Sequence, residues 1–103
     1  MRERRVILLE SAEHDLDEIA DWLIEYASLV VAERYLDRIQ QRLDKLAFAS
    51  KRGSLRTEVP GLRLIGILRG VSVAFVVDDD RVIVHRILYR GRSFIPADSA
   101  EPD

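Results

Sequence analysis

An apolar stretch in the second half of the sequence is divided by two turn signals into three short runs. The runs cover residues 62–68, 71–77 and 82–88, and the second is rich in β-branched side chains, which favour the pleated surface of a sheet. Gly70 can supply the positive φ of a two-residue hairpin turn, and the aspartates at 78–80 can bond their own backbone in a second turn. Because connections this short join neighbouring strands, we predict a three-stranded antiparallel meander.

The preceding half has the periodicity of two helices. Apolar residues lie at helical spacing from Leu16 to Ala27, and Ser11 is the expected N-cap of this helix. A second apolar stripe extends from Val31 to Ala47, with Ser28 as its expected N-cap. The break between the two is so short that we predict an antiparallel helical hairpin. Gly and Ser within residues 50–54 indicate its end, and residues 55–60 are interpreted as a loop.

These elements predict an α+β domain of two layers. Residues 5–10 are interpreted as an amino-terminal strand, although their short apolar run also suits a helix. The helical hairpin has one apolar face and the meander needs a cover, so we expect the hairpin to pack on the meander and the first strand to join the sheet. We expect one domain over residues 1–95, with a disordered acidic tail at 96–103.

Composition excludes several classes of function. The 103 residues include no cysteine, so disulfides and thiolate metal sites are absent. His14 and His85 fall in different elements, and three adjacent aspartates in a turn are usually solvated, so neither a metal nor another cofactor is expected. No apolar run reaches the roughly 20 residues that span a bilayer. We therefore expect a cytoplasmic protein that does not enter membranes.

The charge is unevenly divided along the chain. Residues 10–50 hold ten acidic and four basic side chains, whereas residues 55–95 hold seven arginines and four acids. Arg90 and Arg92 follow the last predicted strand beside Tyr89 and Phe94. Arginine interleaved with aromatic residues suits either a nucleic acid or an acidic partner protein, because both accept the same charge-assisted hydrogen bonds.

The order of these elements resembles the ParE/RelE superfamily of toxins from toxin–antitoxin pairs. The likeness covers about residues 5–94 and rests on the segments 12–23, 60–63, 82–88 and 90–94, with the second-helix positions Ala32, Tyr35, Leu36, Ile39 and Leu43. The resemblance implies a bacterial toxin that a cognate antitoxin neutralises by wrapping around it. ParE-like members are described as poisons of DNA gyrase that act by binding. RelE-like members cut messenger RNA on the ribosome.

Departures from the ribonuclease pattern favour the ParE branch. Arg63 and Arg92 match basic positions of the ribonucleases, but Ile65 and Ser72 stand where two others are expected, and the late tyrosine has no clear match. RNA cleavage needs groups that activate a hydroxyl and stabilise a charged phosphorus centre, so this set favours a toxin without catalytic residues.

The resemblance therefore implies that the chain inhibits DNA gyrase by binding. A ParD-like antitoxin would neutralise it in a hetero-oligomer that meets DNA only through the antitoxin. The two alternatives are a RelE-like ribosome-dependent ribonuclease and a degenerate, non-toxic module that still binds antitoxin. The expected target-binding residues are Arg63, Arg86, Arg90, Arg92 and Phe94, and the expected antitoxin-binding residues are Trp22, Tyr26, Tyr35, Arg69 and Phe75. A ribonuclease would instead use Arg63, Arg86, Arg92, Tyr89 and His85, although His85 is more simply interpreted as a packed histidine.

Overall fold

The computed structural model describes residues 3–48, 54–55 and 60–89. Within them, a strand is followed by two helices and then by the remaining strands. A short 3-10 turn at Lys45–Ala47 extends the second helix. The elements are β1 (Arg5–Leu8), α1 (Glu10–Tyr26), α2 (Leu29–Asp44), β2 (Ser54–Leu55), β3 (Arg63–Leu68), β4 (Val71–Val77) and β5 (Arg81–Tyr89). The predicted α+β architecture is confirmed.

The strands form one mixed sheet in the order β1-β5-β4-β3-β2. The β3–β4–β5 meander is antiparallel, as predicted, and β1 joins its β5 edge in parallel. The prediction that residues 54–55 belong to a helix end and a loop is wrong, because Ser54 and Leu55 pair with Leu64 and Arg63 as a further strand. Two paired residues are too few to show a strand's alternation in sequence.

The turns have the backbone geometry that their residues favour. Gly61 and Gly70 have φ angles of 79° and 80°, in the left-handed region that glycine occupies without steric cost. In the β4–β5 turn, Oδ1 of Asp78 accepts hydrogen bonds from the backbone N–H groups of Asp80 and Arg81 at 3.0 and 2.7 Å. These contacts confirm the two hairpin turns of the meander.

The two helix starts differ from one another. Ser28 caps α2, since its hydroxyl accepts the N–H of Val31 at 3.1 Å. The predicted cap at Ser11 is wrong: α1 begins at Glu10 after an extended Leu9, and the Ser11 hydroxyl donates to the His85 carbonyl at 2.6 Å. Leu9 N–H still bonds the Val84 carbonyl of the sheet, so the chain passes from β1 into α1 without a separate capping residue.

The helices cover one face of the sheet. Their buried apolar residues pack with buried residues of β4 and β5, and Phe75 in this core has no exposed surface. The buried stripes are shorter than predicted, because Ala27 and Val31 are exposed where the helical hairpin turns. None of the described helices has the length and apolar character needed to cross a membrane.

Candidate protein-binding site

Four aromatic side chains meet at the end of β5, and we call them the aromatic cluster. Trp22 lies 5.1 Å from Tyr26 and 5.7 Å from Tyr89 between ring centroids, and Tyr35 lies 5.9 Å from Tyr89. Both contacts with Tyr89 are edge-to-face, an arrangement that the ring quadrupoles favour. The cluster therefore joins both helices to the last residue of the sheet.

Three elements place these rings. Trp22 and Tyr26 are one helical turn apart on α1, and Tyr35 is on α2. Tyr89 pairs with Val71, so it lies at the end of the sheet that carries the β3–β4 turn. The hydroxyl of Tyr35 donates to the Arg69 carbonyl in this turn at 3.4 Å, which joins α2 to the tip of the meander.

The electrostatics of the cluster disfavour a charged tyrosine. Burial raises the pKa of Tyr35 above its usual range, the neighbouring Tyr89 raises that pKa further, and Arg38 opposes the change. Tyr35 therefore remains a neutral hydrogen-bond donor across the physiological range. Since Trp22, Tyr35 and Tyr89 are half-buried and Tyr26 is 66% exposed, the cluster can receive apolar groups from another molecule.

The structure brings together four of the five residues predicted to bind an antitoxin. Trp22, Tyr26 and Tyr35 belong to the aromatic cluster, and the Arg69 carbonyl accepts the Tyr35 hydroxyl. The fifth, Phe75, is fully buried beneath the helices. Direct contact between Phe75 and a partner is excluded in this conformation, so its predicted binding role is corrected to a role in the core.

Arg86 faces helix α1 instead of joining an exposed arginine group. Its Nε and one terminal nitrogen donate to the Asp15 carboxylate at 2.7 and 2.9 Å. This hydrogen-bonded pair raises the pKa of Arg86, and Asp15 itself is only 5% exposed. Because its guanidinium already holds a carboxylate, Arg86 has a structural role, and its target-binding or catalytic role stays a prediction.

The remaining predicted site residues that the structure describes, Arg63 and His85, lie on different strands. Arg63 is half-buried on β3, two strands away from Arg86 on β5. His85 lies where the β4–β5 register shifts, between the pairs Phe75–Val84 and Ala74–Arg86, and its carbonyl accepts the Ser11 hydroxyl. The predicted residues Arg90, Arg92 and Phe94 lie outside the described residues.

Helix α1 contains a buried carboxylate, that of Asp15. It is not among the site residues predicted from the sequence. Its position could have revealed it, because Asp15 lies between Ala12 and Ile19 on the buried stripe, where a carboxylate requires a partner.

Among the described residues, no group of three potential metal ligands occurs.

Comparisons with known proteins agree with this architecture. A family model described as the ParE toxin of the type II toxin–antitoxin system parDE matches residues 6–94. A search of curated proteins gives no match.

Solved structures share the fold at low sequence identity. A chain of the chromosomal ParDE system from P. aeruginosa aligns with a TM-score of 0.74 and 24% identity, covering 84% of this chain and 96% of that one. A chain of the RelBE2 complex from Mycobacterium tuberculosis gives 0.60 and 18%, covering 89% and 97%. A copper-bound mutant toxin from Helicobacter pylori gives 0.55 and 20%, covering 88% and 99%. Because the family model matches this chain from residue 6 to residue 94, the chain belongs to the ParE toxin family of type II toxin–antitoxin systems.

Proposed function

We propose that this toxin stops growth by binding DNA gyrase and that a ParD-like antitoxin neutralises it by covering the aromatic cluster. The main support for the proposal is that two candidate catalytic side chains are already held in contacts within the protein. The Arg86 guanidinium is held by Asp15, and the Tyr89 ring is packed against Trp22 and Tyr35. Groups held in this way support binding better than proton transfer.

The antitoxin part of the proposal rests on exposed aromatic surface. Tyr26 is largely exposed beside the half-buried Trp22, so an apolar segment of a partner would bury ring area that water now contacts. Related complexes are described as ParDE and RelBE pairs, which supports a dedicated partner for this chain. The resulting complex would be a hetero-oligomer.

The target part of the proposal rests on the arginines that follow β5. Arg90 comes directly after Tyr89 in the sequence, and Arg92 comes two residues later. Guanidinium groups form bidentate hydrogen bonds with carboxylates, which suits binding to acidic side chains of gyrase.

A gyrase assay tests this proposal. Purified toxin should make gyrase accumulate cleaved DNA, and the double substitution Arg90→Ala with Arg92→Ala should abolish both this effect and toxicity while antitoxin binding persists. Arg81→Ala is the matched control, since Arg81 pairs with Asp78 at the opposite end of β5.

Two results would contradict the proposal. Unchanged gyrase supercoiling and cleavage at saturating toxin would exclude gyrase as the target. Codon-phased cuts in ribosome-bound messenger RNA would instead support the ribonuclease alternative, and normal growth during verified expression would support a degenerate module.

A further inference from the structure

The turn of the helical hairpin exposes a concentration of large apolar side chains. Ile24, Leu29, Val30 and Val31 are 45%, 57%, 55% and 41% exposed, and we call these four residues the hairpin tip. They make up most of the exposed large hydrophobic residues in the described ranges, where Tyr26, Leu9 and Phe48 are the others. Apolar residues gathered in this way on a small domain indicate a surface that another molecule covers.

Acidic residues border the hairpin tip. Helix α1 contains seven acidic residues and no lysine or arginine. Asp17, Asp21 and Glu25 are exposed and follow one another at i, i+4 spacing along the helix, so they form one row, and Glu33 lies one turn beyond Leu29 on α2. We call these four residues the acidic row. Within residues 3–48 and 60–89, no basic side chain forms an ion pair with any of them.

The acidic row opposes the stability of the free helix. Like charges at i, i+4 repel one another, and Glu25 lies in the last turn of α1, where the helix dipole already presents negative charge. That last turn contains no basic residue to offset either effect. Cations of a partner would offset both the repulsion between the carboxylates and the unfavourable interaction of Glu25 with the helix dipole. Binding of such a partner would therefore stabilise α1.

We propose that the hairpin tip and the acidic row together bind a basic amphipathic helix of another protein. The apolar stripe of such a helix would cover Ile24, Leu29 and Val30, and its Lys and Arg side chains would reach the carboxylates on either side. The apolar centre disfavours a simple polyamine, and the carboxylates exclude a nucleic acid. A symmetric contact with a second copy of this chain would place two acidic rows together, which is electrostatically unfavourable.

Synthetic peptides test this surface without any need for toxicity or antitoxin. Three fluorescein-labelled helices of about 18 residues are compared by anisotropy on the full chain: one with leucines on one face and Lys/Arg elsewhere, one with Glu in place of the cations, and one with Ser in place of the leucines. The basic amphipathic peptide should bind at least about tenfold more tightly than either control.

Substitutions on the protein then locate the binding surface. Val30→Ser should weaken binding of the basic peptide roughly fivefold, whereas Phe48→Ser changes an equally exposed apolar residue outside the hairpin tip and should have no effect. Asp21→Asn with Glu25→Gln should weaken binding and raise the Tm of the free chain by about 2–4 °C, since it removes the repulsion. Glu3→Gln with Asp79→Asn makes the same change in net charge elsewhere and should leave both unchanged.

Three outcomes would overturn the inference. Equal binding of the basic and acidic peptides would show that charge does not select the partner. Binding unaffected by Val30→Ser and by the Asp21/Glu25 pair would place the peptide elsewhere. Concentration-dependent dimerisation that Val30→Ser abolishes would assign the hairpin tip to a second copy of the chain. Because these readouts are independent of gyrase and of growth, their failure would leave the proposed function standing.

Discussion

The Asp15 carboxylate joins helix α1 to strand β5 through Arg86, 71 residues further along the chain. It accepts two hydrogen bonds from the Arg86 guanidinium and a third, at 2.8 Å, from the backbone N–H of Ile87. The pairing of β1 with β5 ends at Val84, so Asp15 satisfies a sheet-edge donor that no β1 residue reaches. One nearly buried carboxylate thus closes this edge of the sheet against the helix.

We predict that Asp15→Ala lowers the free energy of unfolding by about 3 kcal/mol, because it leaves Arg86 and the Ile87 N–H without their acceptor. Urea denaturation followed by circular dichroism measures the change. The control is Asp17→Ala, which removes an exposed carboxylate two positions further along α1 and should change stability by less than about 0.5 kcal/mol. Equal effects of the two substitutions would show that the Asp15–Arg86 contact contributes little.

Phe75 and Tyr26 were both predicted to contact an antitoxin. Because Phe75 is fully buried and Tyr26 is largely exposed, we expect their substitutions to have different effects. Phe75→Ala should cost about 3–5 kcal/mol of stability, since it opens a cavity in the core. Tyr26→Ala should cost less than about 1 kcal/mol while weakening antitoxin binding. Denaturation curves and calorimetric titration with the antitoxin measure the two effects. Tight antitoxin binding by the Tyr26 variant would place the contact surface away from the aromatic cluster.

Tyr89 distinguishes a binding toxin from a ribonuclease. If its ring acts by packing against Trp22 and Tyr35, Tyr89→Phe should retain toxicity, whereas Tyr89→Ala should lose it. Growth after induction, with expression checked by immunoblot, measures the outcome. Loss of toxicity in a folded Tyr89→Phe variant would instead indicate that the hydroxyl takes part in chemistry.

The β4–β5 turn predicts a dependence of stability on acid pH. The hydrogen bonds from the Arg81 side chain lower the pKa of Asp78, and the N–H groups of Asp80 and Arg81 lower it further. A carboxyl whose pKa is lower in the folded chain contributes stability above its unfolded pKa of about 3.9, and this contribution is lost as pH falls through the folded pKa.

We therefore expect Asp78→Asn to lose less stability than the unmodified protein when the pH falls below about 4. Urea midpoints measured between pH 6 and pH 2.5, values that bracket this range, give the comparison. Asp79→Asn, a change at the adjacent turn residue, should keep the pH dependence of the unmodified protein. Parallel curves for the Asp78 variant and the unmodified protein would contradict the coupling of Asp78 to Arg81.

The meander and the helical hairpin follow from local signals along the chain. Gly70 and the aspartate turn mark the strand ends, and Ser28 marks the start of α2. Helical spacing of apolar residues assigns the helices, and short apolar runs between the turns assign the strands. These signals are local: each depends on a few neighbouring residues whose backbone preferences survive in the folded chain.

The contacts between side chains far apart in sequence depend on how the helices pack on the sheet. Trp22, Tyr35 and Tyr89 form one cluster, and Arg86 turns to Asp15 instead of to the surface, because the helices cross the sheet at one particular position and angle. The same packing buries Phe75 in the core, although the sequence predicted it as a binding residue. Periodicity specifies that a face is buried, but the partner on that face depends on how the two layers are stacked.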